Sequence, residues 1–324
     1  MAKEHWLGFD LGGTKMLAAV FDDEFNCLGR KRRRTHGYRG AEVGVERITQ
    51  TIQQALESCE IEASQLSGIG IGCPSPVDMR RGVILDAANL GWEDVPLAKL
   101  LRSEFDSPVA VLNDVDAGVY GEFRFGAGRD VDSMLGIFPG TGIGGGFVHE
   151  GEILSGGSSS AREIGHVCVD PRGGVCGCGS RGCLETVASR LAIAAEAAKA
   201  ALRGEAPHLM EEAGADLTNI RSGAIAESIA AGDEVVKQIV VDAAGWIGIA
   251  AANVVSLLLP EMILLGGGLV EAMPDLLVAE VKRSARKTVL PAFRDRFKVA
   301  PAELGDDASI MGAAGWIERI EKSK

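Results

Sequence analysis

Trp6-Leu7-Gly8-Phe9-Asp10-Leu11-Gly12-Gly13-Thr14-Lys15-Met16-Leu17-Ala18-Ala19-Val20-Phe21 decides how the rest of the chain is read. Its apolar runs, over 6–9 and 16–21, read as strands joined by a tight glycine turn. The same grammar returns as strands over 134–138 and 147–148 around Gly140-Thr141-Gly142-Ile143-Gly144-Gly145-Gly146. Two units of strand, glycine-Thr turn and strand suggest two related halves, each bringing a phosphate loop to a shared cleft.

Elsewhere strand and helix periods alternate. Val43, Ile48, Ile52, Leu56 and Cys59 give an amphipathic helix over 41–60. A strand over 69–72, a Pro-bearing loop over 73–77 and a strand over 109–112 follow; Asn113 and Asp114 end that last strand, just before a helix. Residues 185–260 are Ala-rich and mainly helical, broken by a polar loop at 204–218. A strand over 262–265, a helix over 274–287 and a last helix from 308 close the chain. Such alternation predicts an α/β architecture, with ligands beyond the carboxyl ends of the strands. Residues 239–259 carry Asp242 as their only charge and are long enough to span a bilayer. Asn253, Ser256, the Ala and Gly content and the stop at Pro260 make this a buried core helix instead.

Composition narrows the function. The chain has 324 residues, enough for two domains, and 43 are glycine with only 11 prolines and no triplet repeat, which excludes a collagen-like chain. Hydrophobic residues at 46% and charged residues at 24% exclude intrinsic disorder. Lys and Arg number 33 against 45 Asp and Glu, and a net charge of −12 repels a phosphate backbone, so no nucleic-acid partner is expected. The basic run at 30–34 reads as a solvated strand after a turn at 26–29. The N-terminus enters its first strand with no apolar leader, so the expected location is cytoplasmic, with no membrane partner and reduced thiols. Residues 140–182 hold 14 of the 43 glycines.

Three glycine runs suit a polyphosphate. At Gly12 and Gly13, backbone N–H groups can approach an anion; Thr14 adds a hydroxyl, Lys15 a cation, and Asp10 a carboxylate for a hydrated Mg²⁺. Gly140, Thr141, Gly142, Gly144 and Gly145 form the second loop. Gly266 and Gly267, with Gly268, follow a strand and can pass under a base or ribose. His166, Cys176, Cys178 and Cys183 offer an imidazole and three thiolates, a closed tetrahedral shell for structural Zn²⁺. Cys168 is an alternative ligand, better read as a buried small hydrophobe; Cys27, Cys59 and Cys73 are read the same way. Asp114, Asn113, Glu163 and Glu185 suit polyhydroxyl recognition and proton abstraction, with Asp106 and Asp116 as rivals for the base. Together these residues read as phosphoryl transfer to an alcohol.

The motifs around Asp10, Asn113 and Asp114, residues 140–146, Glu163-Ile164-Gly165-His166 and 176–185 resemble the ROK family (repressor, open reading frame, kinase) over nearly the whole chain. The resemblance implies an actin-like, hexokinase-type (ribonuclease H-like) two-domain fold with a cleft between domains. Residues 1–112 with a C-terminal helix at 305–324 would form a small domain, and 113–304 a large one carrying the zinc loop. It implies an ATP-dependent, glucokinase-like hexose kinase that makes a sugar 6-phosphate with Mg²⁺, commonly as a homodimer. Asp114 would be the general base; Asn89, Asn113, Glu163, His166 and Glu185 would hold the sugar, with His166 also on zinc. Kinases for fructose, mannose, N-acetylmannosamine or N-acetylglucosamine are the alternatives, then a non-catalytic sugar sensor. Ser75 stands where the family more often has Gly, and Arg162, after Ser158-Ser159-Ser160, where it usually has Gly; both departures bear on sugar identity.

Overall fold

A computed structural model describes residues 4–36, 40–74, 76–87, 89–156 and 163–324. Ser75, Arg162 and 158–160, where the sequence departs from the family pattern, lie outside them. The chain forms two compact units: one comprises residues 1–129, 147–161 and 306–324, the other 130–146 and 162–305.

In the first unit the opening stretch forms β1 (His5–Leu11) and β2 (Lys15–Phe21), antiparallel about the glycine turn, with β3 (Cys27–Arg34) outside them. Helix α1 (Ala41–Glu57) precedes β4 (Leu66–Cys73). Short strands β5 (Val77–Asp78), β6 (Val83–Ala87) and β7 (Trp92–Val95) make a small antiparallel sheet, which the periodicity does not reveal. Helix α2 (Leu97–Phe105), strand β8 (Val109–Asn113) and helix α3 (Asp114–Phe125) follow. The main sheet runs β3-β2-β1-β4-β8, with β1, β4 and β8 parallel. Asp10 pairs with Gly72, Gly72 with Leu112, and Cys73 with Asn113, so Asp10, Cys73 and Asn113 lie at the carboxyl ends of neighbouring strands.

Side chains on β1 and β2 alternate between two cores, as the period of two in a strand requires. Leu7, Phe9, Leu11, Met16, Ala18 and Val20 face Ile48 and Ile52 of α1. Trp6, Leu17, Ala19 and Phe21 face Ile310, Ala314 and Ile317 on the last helix, whose range is given below. On that second face bare glycines let the helix lie against the sheet. A Cβ at Gly8 would overlap the Ile310 carbonyl, and one at Gly70 the Ala313 carbonyl. Part of the glycine excess therefore serves helix-on-sheet packing, which composition alone does not distinguish from ligand loops.

Next come β9 (Ser133–Pro139), β10 (Ile143–His149) and β11 (Glu152–Ile153), then α4 (Glu185–Ala188) and α5 (Arg190–Leu202). Helices α6 (Pro207–Glu212), α7 (Ser222–Ala231) and α8 (Glu234–Leu258) lead to β12 (Met262–Leu265). Helices α9 (Gly268–Ala272) and α10 (Pro274–Thr288), strand β13 (Lys298–Pro301) and helix α11 (Ala308–Lys322) end the chain. The second sheet runs β11-β10-β9-β12-β13, with β9, β12 and β13 parallel. Helix α8 buries Val240, Ala244, Ile247 and Ala251. It is a core helix, as its composition implies.

Several details differ from the sequence reading. The first unit runs past residue 112 because α3 packs on α11: a Cβ at Gly312 would overlap the Ala117 carbonyl. The expected polar loop at 204–218 contains α6, started by Pro207 at its first position. The turn before the basic strand lies at 22–26, where the Asp22 carboxylate accepts from the Glu24 and Asn26 amides at 3.0 and 2.8 Å. Arg30, Arg32 and Arg34 do line the exposed face of β3. Cys27 and Cys168 are exposed, not buried, and Cys59 is half-buried; only Cys73 of the four fills the core.

Candidate active site and metal centre

In the first unit the glycine turn is closed by Gly12 N–H donating to the Lys15 carbonyl at 2.9 Å. Thr35, unnoticed in the sequence, clamps it: its amide donates to the Thr14 carbonyl at 2.9 Å and its hydroxyl to the Gly12 carbonyl at 2.6 Å. Asn89 lies beside this loop, since a Cβ on Gly13 would stand 3.4 Å from the Asn89 Cβ. The Lys15 ammonium lies 3.6 Å from Asp306.

The β8–α3 junction supplies the acid. Asn113 caps α3, its Oδ1 accepting from the Val115 and Asp116 amides, each at 3.0 Å. Its Nδ2 donates to Asp114 Oδ1 at 2.7 Å, and Val115 N–H donates to the same oxygen at 2.9 Å. Asn113 thus orients Asp114 from inside the helix cap, a role that Asn and Asp before a helix signal in sequence. Burial, then the charge of Asp10, pushes the Asp114 carboxyl up to about 6 despite these hydrogen bonds. Burial also raises Asp10, against a hydrogen bond from Ser309. The Cys73 thiol, on the strand between them, is driven well above its usual range by burial and by both carboxylates. Of the rival acids, Asp106 caps the end of α2 in a left-handed conformation and Asp116 is buried within α3.

In the second unit the thiol cluster forms as its spacing predicts. The ligand atoms of His166, Cys176, Cys178 and Cys183 all lie within 4.8 Å of one another. Cys178 Sγ is 3.7 Å from Cys183 Sγ, and Cys176 Sγ 3.6 Å from His166 Nδ1. A tetrahedron with Zn–S of ~2.3 Å has edges of ~3.8 Å, so the donor set fits Zn²⁺. Ser180, through its amide and hydroxyl, pulls the Cys178 thiol down to about 7. Cys168 lies outside this group.

Glu185 ties this cluster to the second glycine loop. One carboxylate oxygen accepts from Ile143 N–H at 3.2 Å, and the other lies 3.8 Å from Cys176 Sγ. A Cβ at Gly142 would collide with that carboxylate, and one at Gly165, beside His166, with the Ile143 carbonyl. Arg190 adds a second clamp, its amide donating to the Gly140 carbonyl at 2.9 Å and its guanidinium to Thr141 Oγ1 at 3.0 Å. Gly144 and Gly145 lie on β10, while Glu163 is exposed at the head of the His166 turn. Gly266 has no room for a Cβ against the Phe138 ring, and Gly267 has φ +86° at the start of α9.

A sequence profile of the ROK family matches residues 6–320. A glucokinase of Halalkalibacterium halodurans is 34% identical over 327 aligned positions, covering 100% of this chain and 97% of that one. The structure of a ROK family glucokinase from Streptomyces griseus, in complex with glucose and AMPPNP, superimposes with a TM-score of 0.82 at 33% identity, covering 97% and 99% of the two chains. The DNA-binding transcriptional repressor Mlc of Escherichia coli is 30% identical over 273 positions, 83% of this chain but 65% of that protein.

Proposed function

This chain belongs to the ROK family, and on that premise we propose that it transfers the γ-phosphoryl group of ATP to the 6-hydroxyl of a hexose, glucose first among them. Asp114 accepts the hydroxyl proton as the oxygen attacks. One observation carries the assignment: Asp114, held by Asn113 and the Val115 amide, stands at the carboxyl edge of a parallel sheet beside a glycine turn, where burial pushes its carboxyl up to about 6. Such a group is ionised at neutral pH and more basic than an ordinary carboxylate, as a general base requires. Asn113 fixes its rotamer. Amides of the turns at 12–15 and 140–145, other than those of Gly12, Gly140 and Ile143, which donate within the protein, bind phosphate oxygens; Lys15 adds positive charge, and Gly266 and Gly267 leave space for the nucleoside. Asp10 would hold the water shell of Mg²⁺ brought by the nucleotide, which would supply charge neutralisation at the phosphoryl oxygens.

Asn89, Glu163, His166 and Glu185 hold the remaining sugar hydroxyls. His166 turns Nδ1 toward the thiols, which leaves Nε2 to donate to a hydroxyl. His166, Cys176, Cys178 and Cys183 would hold Zn²⁺, which would make that imidazole rigid. A homodimer in the cytoplasm, without a nucleic-acid partner, completes the reading, and the net charge of −12 supports its last part.

Likeness to the Mlc repressor supports a second reading, a sugar-responsive regulator. A coupled ADP-release assay across hexoses and N-acetylhexosamines separates the two. Turnover with glucose above the other sugars is the expected result; sugar binding without ADP release from any of them would favour the regulator.

A further inference from the structure

The turn that opens α11 touches the first glycine loop at two points that the reading above leaves unused. Asp306 lies 3.6 Å from the Lys15 ammonium and accepts from the Arg32 guanidinium at 2.9 Å. Three residues on, the Ser309 hydroxyl donates to Asp10 Oδ1 at 3.1 Å. Among the described residues, this hydroxyl is the one side-chain hydrogen-bond donor to Asp10.

The strand between the two carboxylates is bare at the place where that hydroxyl sits. Gly72 pairs with Asp10 across β1 and β4. A Cβ added there would come within 2.8 Å of Ser309 Oγ, 3.2 Å of Ala117 Cβ and 3.4 Å of Asp114 Cα. Three elements thus converge over one glycine: the end of β1, the β8–α3 junction and the first turn of α11. Without Ser309, the Asp10 side chain would have no fixed partner on a sheet edge that Asp114 shares. Like charges that share such an edge repel, so an unheld Asp10 would turn away and take its carboxylate out of place.

We propose that Ser309 is a positioning residue for phosphoryl transfer: its hydroxyl holds the Asp10 carboxylate in the orientation that receives the magnesium–nucleotide complex. The proposal rests on the reading of Asp10 as the residue that holds the Mg²⁺ water shell. Hydrogen bonds to a charged carboxylate matter more than neutral ones, and the loss of this one should be felt as about a tenfold change in Mg²⁺-dependent binding.

The test is calorimetric titration of AMPPNP into the full chain, with and without Mg²⁺, for wild type, Ser309→Ala, Ser309→Thr and Asp10→Asn. The gain in AMPPNP affinity on adding Mg²⁺ is the quantity compared. Ser309→Ala should lose about tenfold of that gain and a similar factor in kcat, with the hexose KM unchanged. Ser309→Thr, which keeps the hydroxyl, should restore both, and Asp10→Asn should abolish the gain. An undiminished gain in Ser309→Ala, or failure of Ser309→Thr to rescue it, overturns the proposal while the role of Asp10 stands. A full gain in Asp10→Asn overturns the role of Asp10, and the proposal with it.

Discussion

The carboxyl edge of the first sheet and the loop over 163–185 both gather ionisable side chains, and they treat them in opposite ways. Asp10 and Asp114 are drawn away from water, and the hydrogen bonds they receive do not cancel that loss, so both carboxyls are pushed upward. In the loop, His166 and Cys178 stay exposed while Cys176 and Cys183 are buried, and all four donors turn toward one centre. Removing water tunes a proton affinity. Converging donors fix a shape. The first arrangement is suited to a chemical step and the second to holding a substrate still, so damage to each should leave a different kinetic signature.

The largest effect belongs to Asp114. Asp114→Ala should lower kcat by more than ~100-fold with little change in hexose KM. In the wild type, if Asp114 is the base, kcat should rise with pH through about 6, where its carboxyl ionises. Stability should run the other way. A carboxyl whose pKa is higher folded than unfolded costs stability as pH rises from about 4, where the unfolded chain ionises, to about 6, and the full cost persists above that. Asp114→Asn keeps the acceptor for Val115 N–H and removes that charge. It should therefore raise the thermal midpoint at pH 8, by roughly 1–3 kcal/mol of stability, and leave it unchanged at pH 4. An Asn variant that melts lower at pH 8 would show that the charge is compensated in the folded state.

Loss of the proposed metal centre should follow. Cys178→Ser, or chelation of the wild type, should weaken hexose binding by ~10–100-fold and spare kcat at saturating sugar within about threefold. Metal analysis of active protein should find zinc near one per chain. A fall in kcat comparable to that of Asp114→Ala, with sugar affinity intact, would erase the contrast between the two regions. A smaller effect is expected where they differ least, in the glycine loops. Gly142→Ala must displace the Glu185 carboxylate, and about a tenfold rise in both ATP and hexose KM is expected. A rise in only one of them would mean that Glu185 serves a single ligand.

What the sequence revealed of these two regions depended on how local their determinants are. Cys176, Cys178 and Cys183 lie within eight consecutive residues, so spacing alone specified the cluster that the fold then formed. The strand-turn-strand at 6–21 was equally plain, because period and turn residues act over a few positions. Thr35 and Ser309 escaped notice because each meets its partner across the fold, Gly12 at 23 residues' distance and Asp10 at 299. The glycines at 8 and 70 were invisible for the same reason: the backbone they admit belongs to α11. Asn113 reads from the sequence as a sugar contact and, standing before a helix, as a cap; its hydrogen bond to Asp114 is added by the geometry.

The smallest expected effect sits at the rim of the acidic edge. Asp306 faces both Lys15 and Arg32, and the Arg32 hydrogen bond comes first in holding its carboxyl below the ordinary range. The Lys15 and Asp306 side chains are 56% and 67% exposed, so water competes for the pair and its worth is at most about 1 kcal/mol. A nucleotide phosphate arriving at Lys15 has little to displace. Asp306→Asn should therefore change the ATP KM by less than about threefold, and salt should shrink the difference further. Calorimetry of AMPPNP at low and high ionic strength reads this directly. A tenfold, salt-insensitive change would place Asp306 within the desolvated set beside Asp10, and the acidic edge would then extend from the sheet into the first turn of α11.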